Sequence, residues 1–505
     1  MKIAALFSFA FPPKWLSLQG KLIPKTLSMM KRTVLLLIFA LLCGAFYRCA
    51  EPEAIEVTLH DQVVGAAIAD DYCGLSYETR IVLPDTSGTH YFSPENKKLV
   101  NMFKTLGIKS LRLGGNSVDV AATPTPSKAD LDALFAFARA ADVKVIYSVR
   151  LKDGSIEAAV NQARYIWENY ADLLDYFAIG NEPGYYKNYE EQYQPRWDAL
   201  LKAMQQVAPE ACFCAPDDNP NPVLCQKLIR DYWQQPLTLM TLHNYPAGCA
   251  FSNPGSGRAY EELIPFEPAE RCEYLLSDSL PKVYAKVARQ MEQVVEGYPF
   301  RLSETSNFWY GGLEGASSAY AAALWGVEYM YWWASRGCLG MNFHTGDNAG
   351  GIPIKAHYAA FVTEGEEFDV RPLSYAVKLF DIGAKGRLFP VEVSDKRQFA
   401  VYATKQDAGE VCVSLINKAY GEGDERVVKL RFGDNTTRMV DAEMLVMECV
   451  DGSITSTSGI TIGGRAITGQ GLWTEDGWQS IAPTDNTLTI RLPRASAVVV
   501  RMKME

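Results

Sequence analysis

Two glutamates end apolar runs in this 505-residue chain, and their company suggests working carboxylates. Glu182 closes Tyr176-Phe-Ala-Ile-Gly-Asn-Glu-Pro183, and Glu304 closes the apolar part of Phe300-Arg-Leu-Ser-Glu-Thr-Ser-Asn307. A carboxylate is costly to bury without a partner, so two at strand ends call for a reason. Paired carboxyls are the apparatus of glycosidic bond cleavage: one protonates the leaving oxygen, and the other attacks the anomeric carbon or activates water. Alone, Glu182 would read as a helix cap and Glu304 as a surface ion pair. Together, with Asn181 directly before Glu182, they read as chemistry.

Other residues at run ends could serve such a pair. Tyr245, in His243-Asn-Tyr-Pro246, could steady one carboxylate through its hydroxyl, with His243 a supporting group rather than a ligand. Arg112 and Asn116 end another run and could orient Glu304 or meet sugar hydroxyls. Of Asn342 and His344, one is expected to line the pocket. Trp309 and Tyr310 follow Glu304 and suit stacking on a sugar ring. The stripe Trp325, Tyr329, Trp332 and Trp333 is spaced as helix core.

The elements that must hold these residues alternate. Strand candidates are Asp71–Glu78, Ser110–Asn116, Val143–Arg150, Tyr176–Pro183, Cys212–Asp218, Leu237–Pro246, Phe300–Asn307 and Gly337–Thr345. Between them lie amphipathic stretches such as Ala129–Ala141 and Ile156–Tyr170, with start signals at Ser93-Pro94 and Ser127. Eight strands alternating with helices over roughly 320 residues is the count and length of a (β/α)8 TIM barrel, an α/β fold whose sites lie at the strand C-termini. An open doubly wound sheet would need a phosphate-binding glycine turn, and Leu113-Gly-Gly-Asn116 is too short for one. Near residue 390 the rhythm changes to turn-separated strands: Gln398–Thr404, Glu410–Asn417, Arg426–Phe432, Ala442–Glu448, Gly459–Thr468, Thr487–Leu492 and Ala497–Met502. These predict a C-terminal all-β sandwich, which Glu56–His60 is expected to join. The domain expectation is a barrel over 69–389 and a sandwich from 51–68 and 390–505.

Composition narrows the classes. Lys and Arg number 49 against 59 Asp and Glu, a net charge of −10 without a basic block, which argues against nucleic-acid binding. Five histidines with no His/Cys ligand spacing predict no metal, and nothing suggests a cofactor. Lys31-Arg32 before the apolar run Thr33–Phe46 has the layout of a secretory signal within 1–50, with 1–29 an over-extended start before Met29 or Met30. The mature chain is then exported, with no apolar run long enough to span a membrane. Of 11 cysteines nine follow residue 50, and Cys249 with Cys272, or the cluster Cys212, Cys214 and Cys225, could supply one or two disulfides.

The motif set resembles glycoside hydrolase family 79, the β-glucuronidase and heparanase family, within clan A of the 4/7 glycosidases. It comprises Gly74-Leu-Ser-Tyr-Glu78, Leu111-Arg-Leu-Gly-Gly-Asn-Ser117, Ala178-Ile-Gly-Asn-Glu-Pro183, Leu302-Ser-Glu-Thr-Ser306 and Pro372-Leu-Ser-Tyr-Ala376, in that order across 55–503. The resemblance implies Glu182 as general acid/base, Glu304 as nucleophile and retention of configuration. It also implies a carbohydrate partner, a glycan or a glucuronide. A uronic acid needs a cation or N–H donors, for which Lys355, Arg371 and the amides of Gly346–Gly351 are candidates. Gly346–Pro353 matches the family pattern least. The alternatives are a neutral sugar, or an exported carbohydrate-binding scaffold without activity.

Overall fold

The computed structural model describes residues 54–249, 267–347, 356–433 and 437–505. The expected signal segment, Lys355 and most of Gly346–Gly351 lie outside the described residues. Strand β1 (Ile55–Leu59) precedes eight parallel strands: β2 (Cys73–Glu78), β3 (Ser110–Gly114), β4 (Lys144–Val149), β5 (Leu174–Ile179), β6 (Phe213–Asp218), β7 (Leu237–Asn244), β8 (Phe300–Thr305) and β9 (Cys338–His344). They close into a barrel as β9 pairs back onto β2. Covered by helices outside and side chains within, these strands are buried almost throughout, which is why they read as continuous apolar runs rather than alternating ones.

Local chemistry sets the helix starts. Ser127 and Asp130 form a reciprocal capping box at Lys128–Ala141, satisfying two otherwise orphaned amides. The expected start at Ser93-Pro94 falls short: the helix begins at Lys97, because the Asn96 side chain accepts the Leu99 N–H. Helix Tyr320–Ala334 is buried on every side, so its aromatic stripe is core.

The remaining strands are a hairpin, β10 (Phe361–Glu364) and β11 (Glu367–Val370), and then β12 (Arg387–Phe389), β13 (Val391–Val393), β14 (Phe399–Lys405), β15 (Val411–Asn417), β16 (Arg426–Phe432), β17 (Met439–Cys449), β18 (Ile460–Ile462), β19 (Gln479–Ile481), β20 (Leu488–Leu492) and β21 (Ser496–Met504). One sheet runs β13-β1-β16-β20; the other runs β12-β14-β15-β21-β17-β18, with β19 on β17. They enclose Val57, Leu59, Val413, Leu415, Leu430, Ile490 and Val500, so the N-terminal strand is built into the sandwich. The larger sheet turns its other face, including Ile416, Leu445 and Val499, to the barrel. The expected strand Gly459–Thr468 shrinks to Ile460–Ile462, since Gly463 and Gly464 turn the chain with positive φ. Three-residue strands β12, β13 and β19 carry too few residues for a readable alternation.

Among the described residues no cysteine is joined in a disulfide. Cys214 faces the barrel interior with Ile146, Ala178 and Leu239, whereas Cys225 packs in the outer core, so the sheet separates them. Cys272 donates instead to the Gly315 carbonyl at 3.3 Å. Among the described residues no helix is long and apolar enough to cross a membrane.

Candidate active site

The acid-bearing turn explains its own sequence. β5 ends at Ile179, not at Pro183, and the chain then reverses through Gly180 (φ 78°) and Glu182 (φ 48°). A Cβ at Gly180 would lie 2.7 Å from the Leu151 side chain, so glycine meets both the positive φ and the close approach. Glu182 occupies the cap position of the 3-10 turn Pro183–Tyr185, yet its side chain makes no capping bond. Its Oε1 instead faces His243 Nδ1 and accepts from Asn219 Nδ2, each at 3.0 Å. Non-glycine residues at positive φ are strained, and the strain here aims a carboxylate at the barrel mouth.

Glu304 is 7% exposed and held by three elements. Arg112 from β3 donates to Oε2 at 2.6 Å, and the Tyr245 hydroxyl donates to Oε1 at 2.8 Å. His344 at the end of β9 stands 3.7 Å from Oε2. Burial alone would raise the Glu304 carboxyl, but His344, His243 and Arg112, with the Tyr245 hydroxyl, hold it down at about 2. It is therefore an anion at neutral pH. One carboxylate oxygen each from Glu182 and Glu304, with a His243 nitrogen, lie within 4.8 Å of one another.

Those residue types could suit a metal, but their donors are spent elsewhere. His243 has Glu182 Oε1 on one ring nitrogen and Asp217 Oδ1 on the other, at 3.0 and 3.4 Å. Although burial would lower its pKa, Glu304, Asp217 and Glu182 push it up to about 10, so the ring offers protons rather than a lone pair. The Arg112 guanidinium already neutralises Glu304. The site is built for charge balance.

The paired glycines of Leu113-Gly-Gly-Asn116 make room for this arrangement. A Cβ on Gly114 would come within 2.6 Å of the Arg112 guanidinium, and one on Gly115 within 2.6 Å of the Glu78 carboxyl. Asn181 Oδ1 accepts from Arg112 at 2.7 Å, and its Nδ2 donates to Asn116 Oδ1 at 3.2 Å. Asp119 accepts the Asn181 amide at 3.0 Å and the Tyr186 hydroxyl at 2.5 Å, fixing the turn from below.

The structure thus brings together Glu182, Glu304, Asn181, Arg112, Asn116, Tyr245 and His344. Asn342 is not among them: it bonds Arg301 and the carbonyls of Leu75 and Ser110 inside the barrel. Arg371 is committed to Asp369 and the Ala356 carbonyl, an internal brace rather than a mouth cation. Tyr310 is 60% exposed and stacks on Trp309 at 4.8 Å, but no bond ties it to either glutamate. Three site residues are not evident from sequence. Asp217 bonds Arg112 and Ser303, Tyr358 lies 6.0 Å from both Tyr245 and His344, and Glu78 accepts the Ser117 amide while its Oε1 has no hydrogen-bond partner. Glu78 ends the motif Gly74-Leu-Ser-Tyr-Glu78, and tandem acids Asp217-Asp218 end a strand; those were the available signals.

No family model matches the chain. A β-glucuronidase of Aspergillus niger is 22% identical over 333 residues, covering 60% of this chain and 58% of that protein's length. Among solved structures, a 4-O-α-L-rhamnosyl-β-D-glucuronidase from Fusarium oxysporum 12S shares the fold with a TM-score of 0.66 at 16% identity, over 88% of this chain and 99% of that one. A family 51 arabinofuranosidase from Xanthomonas axonopodis pv. citri gives 0.63 at 12% identity, over 89% and 100%. The chain therefore carries a glycoside-hydrolase-like (β/α)8 barrel with a C-terminal β domain, and its β-glucuronidase likenesses fit family 79 and clan A.

Proposed function

We propose that the chain is an exported retaining glycoside hydrolase that releases a terminal β-linked uronic acid. Glu304 is the nucleophile and Glu182 the acid/base. The observation that carries this is that one oxygen of each carboxylate lies within 4.8 Å of the other. Retaining pairs stand about 5–5.5 Å apart, whereas inverting pairs need about 6.5–9.5 Å to admit a water. A Glu304 ionised at neutral pH suits attack on the anomeric carbon. Glu182 gives its proton to the leaving oxygen and, once Glu304 is esterified and its charge gone, takes one from the incoming water. Asn181, braced by Arg112 and Asn116, meets the 2-hydroxyl. The β-glucuronidase likenesses support the uronide over a neutral sugar.

Hydrolysis of aryl β-glucuronide, glucoside, galactoside and arabinoside tests sugar and activity together. Turnover fastest on the glucuronide, abolished in Glu304→Ala, is the expected result. A neutral glycoside cleaved best would overturn the uronide, and sugar binding without turnover would favour a scaffold.

A further inference from the structure

Both proposed catalytic carboxylates lead to Asp217. It sits where the β6–β7 register slips, in a bulge with φ 57°, and is almost fully buried. Its carbonyl accepts the Glu182 amide at 2.9 Å. Its Oδ2 takes Arg112 Nη2 at 2.5 Å, and the same guanidinium holds Glu304. Its Oδ1 takes the Ser303 hydroxyl, from the second bulge beside Glu304, and faces His243 Nε2 at 3.4 Å. A bulge beside an active site re-aims side chains, and these two aim at each other.

The His243 ring has an acidic partner facing each nitrogen. Arg112 Nη2 lies 3.5 Å from Nε2, but its two protons already go to Asp217 and Asn181. Nε2 can then turn a proton toward Asp217 Oδ1, 3.4 Å away. On the other side, Glu182 Oε1 faces both Nδ1 and the Asn219 amide.

We propose, on the acid/base and nucleophile roles given above, that Asp217 is the positioning residue that ties both carboxylates to one anchor, and that through a doubly protonated His243 it confines the transferable proton of Glu182 to Oε2. With two donors on Oε1, the acid proton sits on the other oxygen. In the glycosylation step the Oε2–H bond breaks as an O–H bond forms on the glycosidic oxygen. The C1–O bond pair leaves with that oxygen, Glu304 supplies the new C1–O bond, and the charge left on Glu182 is met by His243 and Asn219. The charged groups facing the ring are Glu182, Asp217, Asp218, Glu304 and Arg112.

Nitrogen-15 NMR of the full chain, with five histidines and His243 identified by its loss in His243→Asn, reads the ring directly. The expected result is protons on both ring nitrogens at neutral pH, lost in Asp217→Asn. A neutral ring in the wild type, or one indifferent to Asp217→Asn, overturns the proposal. This arm needs no substrate, so its outcome does not depend on which sugar is cleaved. On the best aryl glycoside of the panel, His243→Ala should slow phenoxide release by about 100-fold but dinitrophenoxide release by less than about 10-fold, because only the poor leaving group needs the acid. His243→Asn, which keeps an N–H at the Nδ1 position, should recover most of that loss. Equal losses on both leaving groups would mark a merely structural histidine and overturn the role.

Discussion

Tyr245→Phe removes one interaction and little else. The hydroxyl donates to Glu304 Oε1 at 2.8 Å, while the ring packs 6.0 Å from Tyr358 and would stay. A hydrogen bond to a charged group contributes about 1.5–3 kcal/mol, and a pKa unit is about 1.4 kcal/mol, so the loss raises the Glu304 carboxyl by about 1–2 units. From about 2 in the wild type it should reach about 3–4. The nucleophile stays ionised at neutral pH, because Arg112 and His344 remain. The acid limb of kcat/KM, too low to see in the wild type, should then enter the measurable range. The assay is kcat/KM on the best aryl glycoside from pH about 3 to neutral, beside melting curves to show that the fold survives. An acid limb identical to wild type, with unchanged kcat, would refute the claim that this hydroxyl serves Glu304.

Three further outcomes follow. Arg112→Met leaves Asp217 and Glu304 buried without their cation and should cost about 3–5 kcal/mol in stability, read as a fall in denaturant midpoint. Lys418→Met should destabilise comparably, because it strands Glu328, 2.8 Å from Lys418 where the barrel meets the sandwich. Adding Glu328→Leu should restore much of that loss, with kcat/KM unchanged throughout. A histidine raised from its ordinary value to about 10 adds stability that is complete below pH about 6.5 and lost as pH rises through about 10. The melting temperature should fall over that window in the wild type, and less so in His243→Asn.

The barrel and its mouth were legible where residue type and spacing agree. Gly180-Asn-Glu-Pro183 could be read because a positive φ, an amide for a hydroxyl and a carboxylate each demand one residue type. Tyr245 and His344 sit at strand ends, and Arg112 two residues before one, where inward side chains reach the mouth. Asp217 and Ser303 were hidden because both sit at bulges, which break the two-residue period used to assign inward and outward faces. At the end of the expected strand Cys212–Asp218, followed by Asn219 and Pro220, Asp217 carries no sign of which way it points. Tyr358 stands in a stretch of sequence without an apolar period, and nothing local points to the mouth. Arg371 was a candidate uronate partner from its charge alone, and its hydrogen bonds to Asp369 and Ala356 show why charge does not fix direction.

The central claim is that Glu304 bonds covalently to a sugar whose leaving group is protonated by Glu182. Incubation with a 2-deoxy-2-fluoro glycoside of the preferred sugar, then peptide mass spectrometry, tests it most directly. One glycosyl adduct, on Glu304, is the expected result. An adduct on Glu182, or product of inverted configuration with no adduct, would contradict it.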